Sequence, residues 1–531
     1  MKPKVLVCDQ IHPSAVEILQ PYADITESEP LSEAQLIELL PDFDALLVRS
    51  QTKVTAAALE AAHKLKIIAR AGVGVDNIDL AAATRRGVIV VNSPEGNTIA
   101  AAEHTLALMF AMARHLPAAD HSLKANQWKR SHFMGAELYQ KTLGIVGLGK
   151  IGSHVARVAN AMGMRLVGYD PFISQERAQQ LHVETLPLPE LLAQADIITL
   201  HVPKTNETYH MINDQSLSTM KDGVRIINCA RGELIDTAAL IRGLESGKVA
   251  GAALDVFEQE PLKDSPLQNL SPELAAKVIL TPHLGASTEE AQVNVALDVA
   301  RQVAKVLQGE PAQNAINIPS LMPHLLKEVQ AYFGLAEKLG LFVGQLQSSG
   351  ICEVTIKYSG ELAQKNTEPL KIAVLKGLLQ PALRERVNYV NAHLLAQDRG
   401  IKITETKVSN RTDYANLMTL DVRCEKETRE VSGTILGADE ERIVSIDGFP
   451  TSVTPTGQLL VIPHPDKPGM VGQVGALLGG HDINISGLQL GRHSKRGPAV
   501  MVVNIDEALE PSVLASIQSN EDFSQTRMVS L

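Results

Sequence analysis

An arginine, a glutamate and a histidine carry the clearest chemical signal in this sequence. They are Arg231 in Asn228-Cys-Ala-Arg-Gly232, Glu260 in Asp255-Val-Phe-Glu-Gln-Glu-Pro261, and His283 in Thr281-Pro-His-Leu-Gly-Ala286. Oxidising an alcohol beside a carboxylate needs three things. A base with a pKa near neutrality must take the hydroxyl proton. A cation must hold the carboxylate so that the adjacent C–H faces the hydride acceptor. Charge near the reacting oxygen must be stabilised. Imidazole suits the first task, and a guanidinium, which grips a carboxylate with two parallel bonds, suits the second. A carboxylate beside the imidazole orients the ring and raises its pKa. Any one of the three, taken alone, reads as surface, the more so for one histidine among sixteen. Together they fall at the ends of successive strands of one expected sheet, the side on which such folds bind ligands.

A hydride needs an acceptor, and the sequence supplies a place for one. Leu143-Gly-Ile-Val-Gly-Leu-Gly-Lys-Ile-Gly152 follows an apolar strand and opens a helix. Gly147 permits the tight turn, Gly149 lets the backbone approach a pyrophosphate, and Gly152 lets helix and strand pack closely. The first helical residues, Lys150 and Ile151, bring free N–H groups and the positive end of the helix dipole to the phosphates. The next strand ends at Gly168-Tyr169-Asp170. An acid there accepts from ribose hydroxyls and repels a 2′-phosphate, so NAD is expected rather than NADP. A second run, Gly72-Val-Gly74, lacks the third glycine at the right spacing and reads as a turn.

These residues need elements to hold them. Strands at 4–8, 45–48, 67–69 and 88–91, alternating with helices, predict a first parallel sheet. Thr98–Arg114 is a long Ala/Leu/Met helix suited to joining two domains. From Thr142 a second series predicts six strands: 143–146, 165–169, 197–200, 225–228, 251–255 and 278–281. The helix that follows, Glu289–Gln308, ends at Gly309-Glu-Pro311, and packing it on the first sheet would make that domain discontinuous. The expected class is α/β: two doubly wound parallel-sheet domains, with 1–97 and 284–315 binding substrate and 98–283 binding the dinucleotide. After Ile316-Asn-Ile-Pro-Ser320 the glycine turns stop, and 320–452 reads as a separate α+β domain. It is expected to hold helices at 328–345 and 369–379 and strands at 352–358 and 417–424. From Gln458 the order strand, helix, strand, strand, helix, strand predicts a ferredoxin-like βαββαβ unit over 458–531.

The motif set Gly147–Gly152, Asn228–Gly232, Asp255–Pro261 and His283–Thr288 resembles the D-isomer-specific 2-hydroxyacid dehydrogenase family, and the likeness extends over essentially the whole chain in a long form. The resemblance implies that Arg231 holds the substrate carboxylate, Glu260 supports the histidine and His283 exchanges the proton. It implies a nicotinamide and ribose pocket lined by Val202, Cys229, Ala230, Asp255, Gly285 and Ala286. Arg49, in Leu47-Val-Arg-Ser-Gln-Thr52, and Arg70, in Ala69-Arg-Ala-Gly-Val-Gly74, are further cations at strand ends, and they ask for a substrate with a second anionic end. Ser50, Gly74 and Asn92 would complete that pocket, and Lys129 or Arg130, beside the single Trp128, would reach a neighbouring subunit's site. Val73 stands where some relatives carry a hydroxyl. The implied substrate is 3-phospho-D-glycerate, oxidised with NAD as the first step of serine synthesis. The alternatives are a glyoxylate or hydroxypyruvate reductase, and a non-catalytic NAD-sensing corepressor. The segment His464-Pro-Asp-Lys-Pro-Gly-Met470 with Asp482-Ile-Asn-Ile485 resembles the amino-acid-binding ACT domain. It implies an L-serine effector held by His464, Asp466 and Asn484 between subunits of a homodimer or homotetramer.

Bulk properties set the outer limits. A chain of 531 residues predicts three or four domains. With 45% hydrophobic but only 3% aromatic residues, the cores must be aliphatic, as buried parallel sheet requires. A net charge of −11 argues against non-specific nucleic-acid or anionic-membrane binding. The four cysteines are scattered without a CxxC pair, which predicts reduced thiols and neither a disulfide frame nor a metal site. The opening residues run straight into a strand, so no targeting peptide is expected and the location expected is cytoplasmic.

Overall fold

The computed structural model describes residues 2–310, 312–318, 323–384, 387–408, 413–437 and 439–531. Four sheets follow one another along the chain.

The first contains β1 (Lys4–Cys8), β2 (Asp24–Ser28), β3 (Ala45–Val48), β4 (Ile67–Arg70) and β5 (Ile89–Asn92), in the order β2-β1-β3-β4-β5. All its pairings are parallel. The central strands are almost wholly buried, as expected for a sheet covered on both faces. Strand β2 is absent from the sequence expectation. Its Asp-Ile-Thr-Glu-Ser has no apolar run, because as an edge strand it is largely exposed and is held by its ladder to β1.

The second sheet contains β6 (Thr142–Val146), β7 (Arg165–Tyr169), β8 (Glu184–Thr185), β9 (Ile197–Leu200), β10 (Val224–Asn228), β11 (Val249–Leu254) and β12 (Val278–Leu280). Its order is β12-β11-β10-β9-β6-β7-β8, one short edge strand more than the six expected. The chain winds outwards from β6 in both directions, so the crevice beyond the ends of β6 and β9 is the switch point at which such sheets take ligands.

Two helices tie these sheets together. Thr98–Ala113 leaves the first sheet and buries Ala102, Leu106, Met109 and Met112 against Leu143, Ile145, Val155 and their neighbours. Glu289–Leu307 comes back from the second sheet and packs Val295, Val299 and Val303 against Val5, Leu47 and Ile67 of the first.

The third sheet is mixed: β13 (Ile351–Gly360), β14 (Lys402–Val408), β15 (Asn416–Cys424), β16 (Thr428–Leu436), β17 (Glu440–Ile446) and β18 (Phe449–Val453), in the order β14-β13-β15-β16-β17-β18. Only β13 and β14 run parallel. Helices Pro323–Leu346 and Glu368–Leu383 cover it. They touch backbone to backbone, since a Cβ on Gly377 would lie 2.1 Å from the Glu337 carbonyl oxygen and one on Gly340 would lie 2.2 Å from that of Val374. The sequence expectation holds both helices and two of the strands, and the polar, half-exposed β14, β16, β17 and β18 are additions. Residue 320, where this domain was expected to begin, lies outside the described residues.

The fourth sheet, β19 (Gln458–Pro465), β20 (Ile485–Arg492), β21 (Pro498–Ile505) and β22 (Arg527–Ser530), is antiparallel in the order β20-β21-β19-β22. Helices Met470–Gly480 and Pro511–Gln518 cover one face. The other face, through Leu459, Val461, Val500, Val502 and Val529, joins the core of the third sheet. Among the described residues no helix is long and apolar enough to cross a membrane.

Candidate active site

Each glycine of the phosphate-binding turn has the surroundings its expected role demands. Gly147 has φ +93°, and a Cβ there would lie 2.6 Å from the carbonyl oxygen of His201 and 2.9 Å from Cγ1 of Val202. A Cβ on Gly152 would lie 2.0 Å from the Gly147 carbonyl oxygen. Gly149 differs from both: nothing lies within 4 Å of the position its Cβ would take, so open space faces its backbone. Gly149 also caps the helix Lys150–Ala161, whose first N–H groups point into that space. Lys150 pairs with Glu95 at 2.5 Å, linking the turn to the segment after β5, while Ile151 is half-buried. The Asp170 carboxylate accepts from Leu148 N and from Phe172 N, both at 2.9 Å. Each oxygen keeps a lone pair for a further donor. The turn and Asp170 therefore fit a dinucleotide with free ribose hydroxyls.

The three catalytic candidates converge from neighbouring strand ends. Beyond β12, His283 Nδ1 lies 2.7 Å from Glu260 Oε2, and the other Glu260 oxygen accepts from Phe257 N at 3.1 Å. Burial works against the Glu260 charge, but the hydrogen bond and charge of His283 and the Phe257 N–H hold it below its ordinary value. The carboxylate is thus an anion, and the His283 nitrogen facing it must carry a proton. The ring's Nε2 is left for a substrate hydroxyl.

Arg231 follows β10. Asn228 fixes its turn, donating to Arg231 O at 2.8 Å and accepting from Ala230 N at 3.0 Å. A side chain at Gly232 could not exist beside Phe257, whose carbonyl carbon would sit 1.9 Å from the Cβ. The guanidinium donates from Nη1 to Ala230 O at 2.7 Å, and its Nε lies 3.4 Å from Asp76. Its Nη2 occupies the space a side chain at Gly74 would take, 2.4 Å from the built Cβ.

Two more arginines reach this place from the first sheet. Arg49 donates to Gln10 O at 2.9 Å, and Asp9 holds its loop through Arg49 N at 2.7 Å and Thr52 Oγ1 at 2.5 Å. Asn77 braces the same loop by donating to Arg49 O and Thr52 O. Ser50 is exposed at its tip. Arg70 ends β4 with its Nε buried and unpartnered. Burial, then the like charges of Arg231 and Arg49, lower Arg70 from 12.5 to about 10, against the pull of Asp76 and Asp9. Buried cations that repel one another and leave a donor unused fit an incoming polyanion. Asn92, ending β5, donates to Val73 O at 2.5 Å and accepts from Gln302.

The expected nicotinamide residues form a tight hub in which Asp255 is fully buried. Its carboxylate accepts from Thr281 Oγ1 at 2.6 Å, Leu284 N at 2.8 Å and Gly285 N at 2.8 Å, and His104 Nε2 stands 3.2 Å away. Burial opposes the charge, yet the His104, Thr281 and Leu284 bonds hold Asp255 below its ordinary value. Burial pushes the neighbouring Cys229 thiol up to about 12. His104, Cys229 and Asp255 lie close enough to share an ion, but the filled carboxylate and protonated thiol form a hydrogen-bonding centre. Ala286 O accepts from Gln292.

Arg130 stands apart. It lies in an exposed turn, Arg130–Phe133, beside an exposed Trp128. The adjoining Lys129, His132 and Phe133 line a cavity with Arg225, Gly251 and Val278, at the starts of the strands whose far ends carry Arg231 and His283. In this chain Arg130 does not join the site. In the fourth sheet, Asp466 accepts from Arg492 Nη1 at 2.7 Å and Arg496 N at 3.0 Å, and Asn484 donates to Asp506 at 2.7 Å. His464 is buried, with Nε2 unpartnered.

Sequence reasoning missed His104, Asp9, Asp76 and Asn77. His104 had a signal, since a histidine set among the Ala, Leu and Met that this helix buries needs a polar partner.

Comparison with known proteins bears on the same residues. Residues 106–285 match the D-isomer specific 2-hydroxyacid dehydrogenase NAD binding domain, 328–447 the D-3-phosphoglycerate dehydrogenase intervening domain, and 459–522 the ACT domain. The chain is 51% identical to a D-3-phosphoglycerate dehydrogenase of Synechocystis sp. over 97% of its own length and 92% of that protein. It is 43% identical to the enzyme of that name from Methanocaldococcus jannaschii, over 99% and 100%. Among solved structures it resembles D-lactate dehydrogenase from Aquifex aeolicus complexed with NAD and lactic acid. That match has a TM-score of 0.52 and 32% identity and covers 58% of this chain and 96% of the other.

Proposed function

The chain belongs to the family of D-3-phosphoglycerate dehydrogenases, and from that premise we propose that this cleft oxidises 3-phospho-D-glycerate to 3-phosphohydroxypyruvate. Bound NAD supplies the acceptor for the C2 hydride. The Gly147–Gly152 turn with Lys150 and Ile151 would hold its pyrophosphate, Asp170 its ribose, and Val202, Cys229, Ala230, Asp255, Gly285 and Ala286 its nicotinamide end. Arg231 fixes the substrate carboxylate, and His283 Nε2 takes the hydroxyl proton while Glu260 holds the ring and balances the imidazolium that results. Arg49 and Arg70, with Ser50, Gly74 and Asn92 around them, receive the phosphate.

The observation that carries this reading is the meeting of three arginines, one with an unused buried donor, beside a hydrogen-bonded His–Glu pair. A monoanionic hydroxy acid needs one of those cations; a phosphorylated one uses all three. The ACT unit supports feedback by an amino acid, for which L-serine is the proposal. His464, Asp466 and Asn484 would hold it between the chains of a homo-oligomer, with Asp466 first released from Arg492.

The test is NAD reduction with 3-phosphoglycerate and with unphosphorylated D-glycerate, each with and without serine. The phosphorylated substrate is expected to be strongly preferred, and equal rates would remove the phosphate assignment. His283→Ala is expected to abolish turnover with NADH binding retained, and near-normal turnover would overturn the proton role. Asp466→Ala is expected to blunt the serine response.

A further inference from the structure

The His283 loop is held by a buried hub, and one member of it comes from a helix that touches neither substrate nor cofactor in the assignment above. His104 projects from the helix Thr98–Ala113, which joins the two parallel sheets. Its Nε2 lies 3.2 Å from Asp255 Oδ1 and 3.2 Å from Thr281 Oγ1. Thr281 Oγ1 spends its own proton on Asp255 Oδ1 at 2.6 Å. The carboxylate can only accept, so His104 Nε2 must be the donor, shared between the two oxygens. Asp255 in turn accepts from Leu284 N and Gly285 N, while its carbonyl accepts from His283 N at 2.9 Å. The same helix reaches the loop directly, with Ala101 Cβ 3.9 Å from the position a Cβ on Gly285 would take. Asp255 is therefore the clamp on both sides of His283, and His104 is the clamp's tie to the helix between the domains.

We propose that His104 is a positioning residue for the His283 proton transfer, acting through Asp255 and Thr281. The proposal rests on the assignment of His283 made above. A buried carboxylate that loses one of its few donors re-aims the bonds it keeps, and here those bonds set the loop that presents the imidazole. A displacement of the base well under the length of a hydrogen bond reduces turnover without emptying the site.

The full-length protein carrying His104→Ala or His104→Gln tests this with two measurements. Steady-state kinetics with 3-phosphoglycerate and NAD should show kcat reduced about ten- to a hundredfold in His104→Ala, the range for loss of a bond to a charged group. KM for substrate and NADH affinity should change little. His104→Gln, which keeps an N–H donor at similar reach, should recover most of kcat. Hydrogen-exchange mass spectrometry should show faster exchange at the Leu284 and Gly285 amides in His104→Ala and wild-type protection in His104→Gln. Exchange does not depend on turnover, so a wild-type protein inactive on phosphoglycerate would refute the functional reading while exchange still decides the role of His104. Unchanged exchange at those amides, or a kcat loss that His104→Gln fails to recover, overturns the proposal.

Discussion

Arg70→Gln should make the ligand-free protein more stable and the enzyme worse. The Arg70 guanidinium is lowered from 12.5 to about 10, first by burial and then by the like charges of Arg231 and Arg49. A cation whose folded-state pKa is depressed destabilises the fold at every pH below that value, and the penalty fades only as pH rises through about 10. At neutral pH the whole of it is present, about 3 kcal/mol for a drop of this size. Its Nε, buried without a partner, adds to the cost. Glutamine removes the charge and the repulsion and keeps a short polar side chain. The thermal midpoint of the free protein should rise by about a few degrees. If Arg70 receives the phosphate as proposed, binding relieves the same penalty, so kcat/KM for 3-phosphoglycerate should fall about ten- to a hundredfold while activity on D-glycerate changes little. Differential scanning of the unliganded protein and the two-substrate rate ratio measure both effects. A midpoint that falls would show that Arg70 does not strain the free protein, and a phosphate preference that survives the substitution would show that Arg70 does not hold the phosphate.

Gly149→Ala places a methyl where no protein atom lies within 4 Å. Its stability should stay within about 0.5 kcal/mol of wild type, while NADH titration should show clearly weaker binding, since the methyl would stand where the proposed assignment puts the pyrophosphate. Asp255→Asn should cost about 3 kcal/mol at neutral pH, since an amide turns a donor towards N–H groups that need an acceptor. The Asp255 pKa is depressed in the folded state, so its stabilisation is present above its ordinary value of 3.8 and is lost as pH falls below that. Urea midpoints across this range should therefore converge in acid, and a constant difference between variant and wild type would show that the Asp255 charge is not what the loop depends on.

How much of this was legible depended on whether a residue's role shows in its own neighbourhood. Gly147, Gly149 and Gly152 sit between an apolar strand and a helix, so the turn could be read directly, and His283, Glu260 and Arg231 each close an apolar strand. The long buried helices were visible for the same reason. Strand β2 and the polar strands of the third sheet were not, because their structure comes from ladders to neighbouring strands rather than from an apolar run. The supporting residues were hidden by sequence distance. Asp9 braces Thr52, and His104 meets Asp255 and Thr281, across separations that no local pattern records. Arg130, read as reaching a neighbouring subunit's site, sits at the far end of the sheet from Arg231 of its own chain.

The placement of the ACT unit bears on how an effector could reach the cleft at all. A regulatory module on a loose linker has no rigid path to the active site of its own chain, whereas this one is built into its neighbour. The uncovered face of its sheet is part of the third sheet's core. Gln345, at the end of the helix Pro323–Leu346, donates to Ser530 O at 2.9 Å and accepts from Ser530 N at 3.0 Å, like an additional rung on β22. The partner helix Glu368–Leu383 packs backbone to backbone against Pro323–Leu346 at Gly340, Gly344 and Gly377. Shortly beyond it, Asn388 donates to the Gly87 carbonyl at 2.7 Å, and Gly87, at φ +74°, has no space for a side chain beneath that contact. Gly87 lies two residues before β5, whose last residue, Asn92, holds Val73 O beside the arginine cluster. Among the described residues, each of these contacts is packed or hydrogen-bonded. A rotation of the ACT sheet must therefore either break one of these joints or carry β5 with it, and only the second outcome would move the proposed substrate side of the cleft against the cofactor side within one chain.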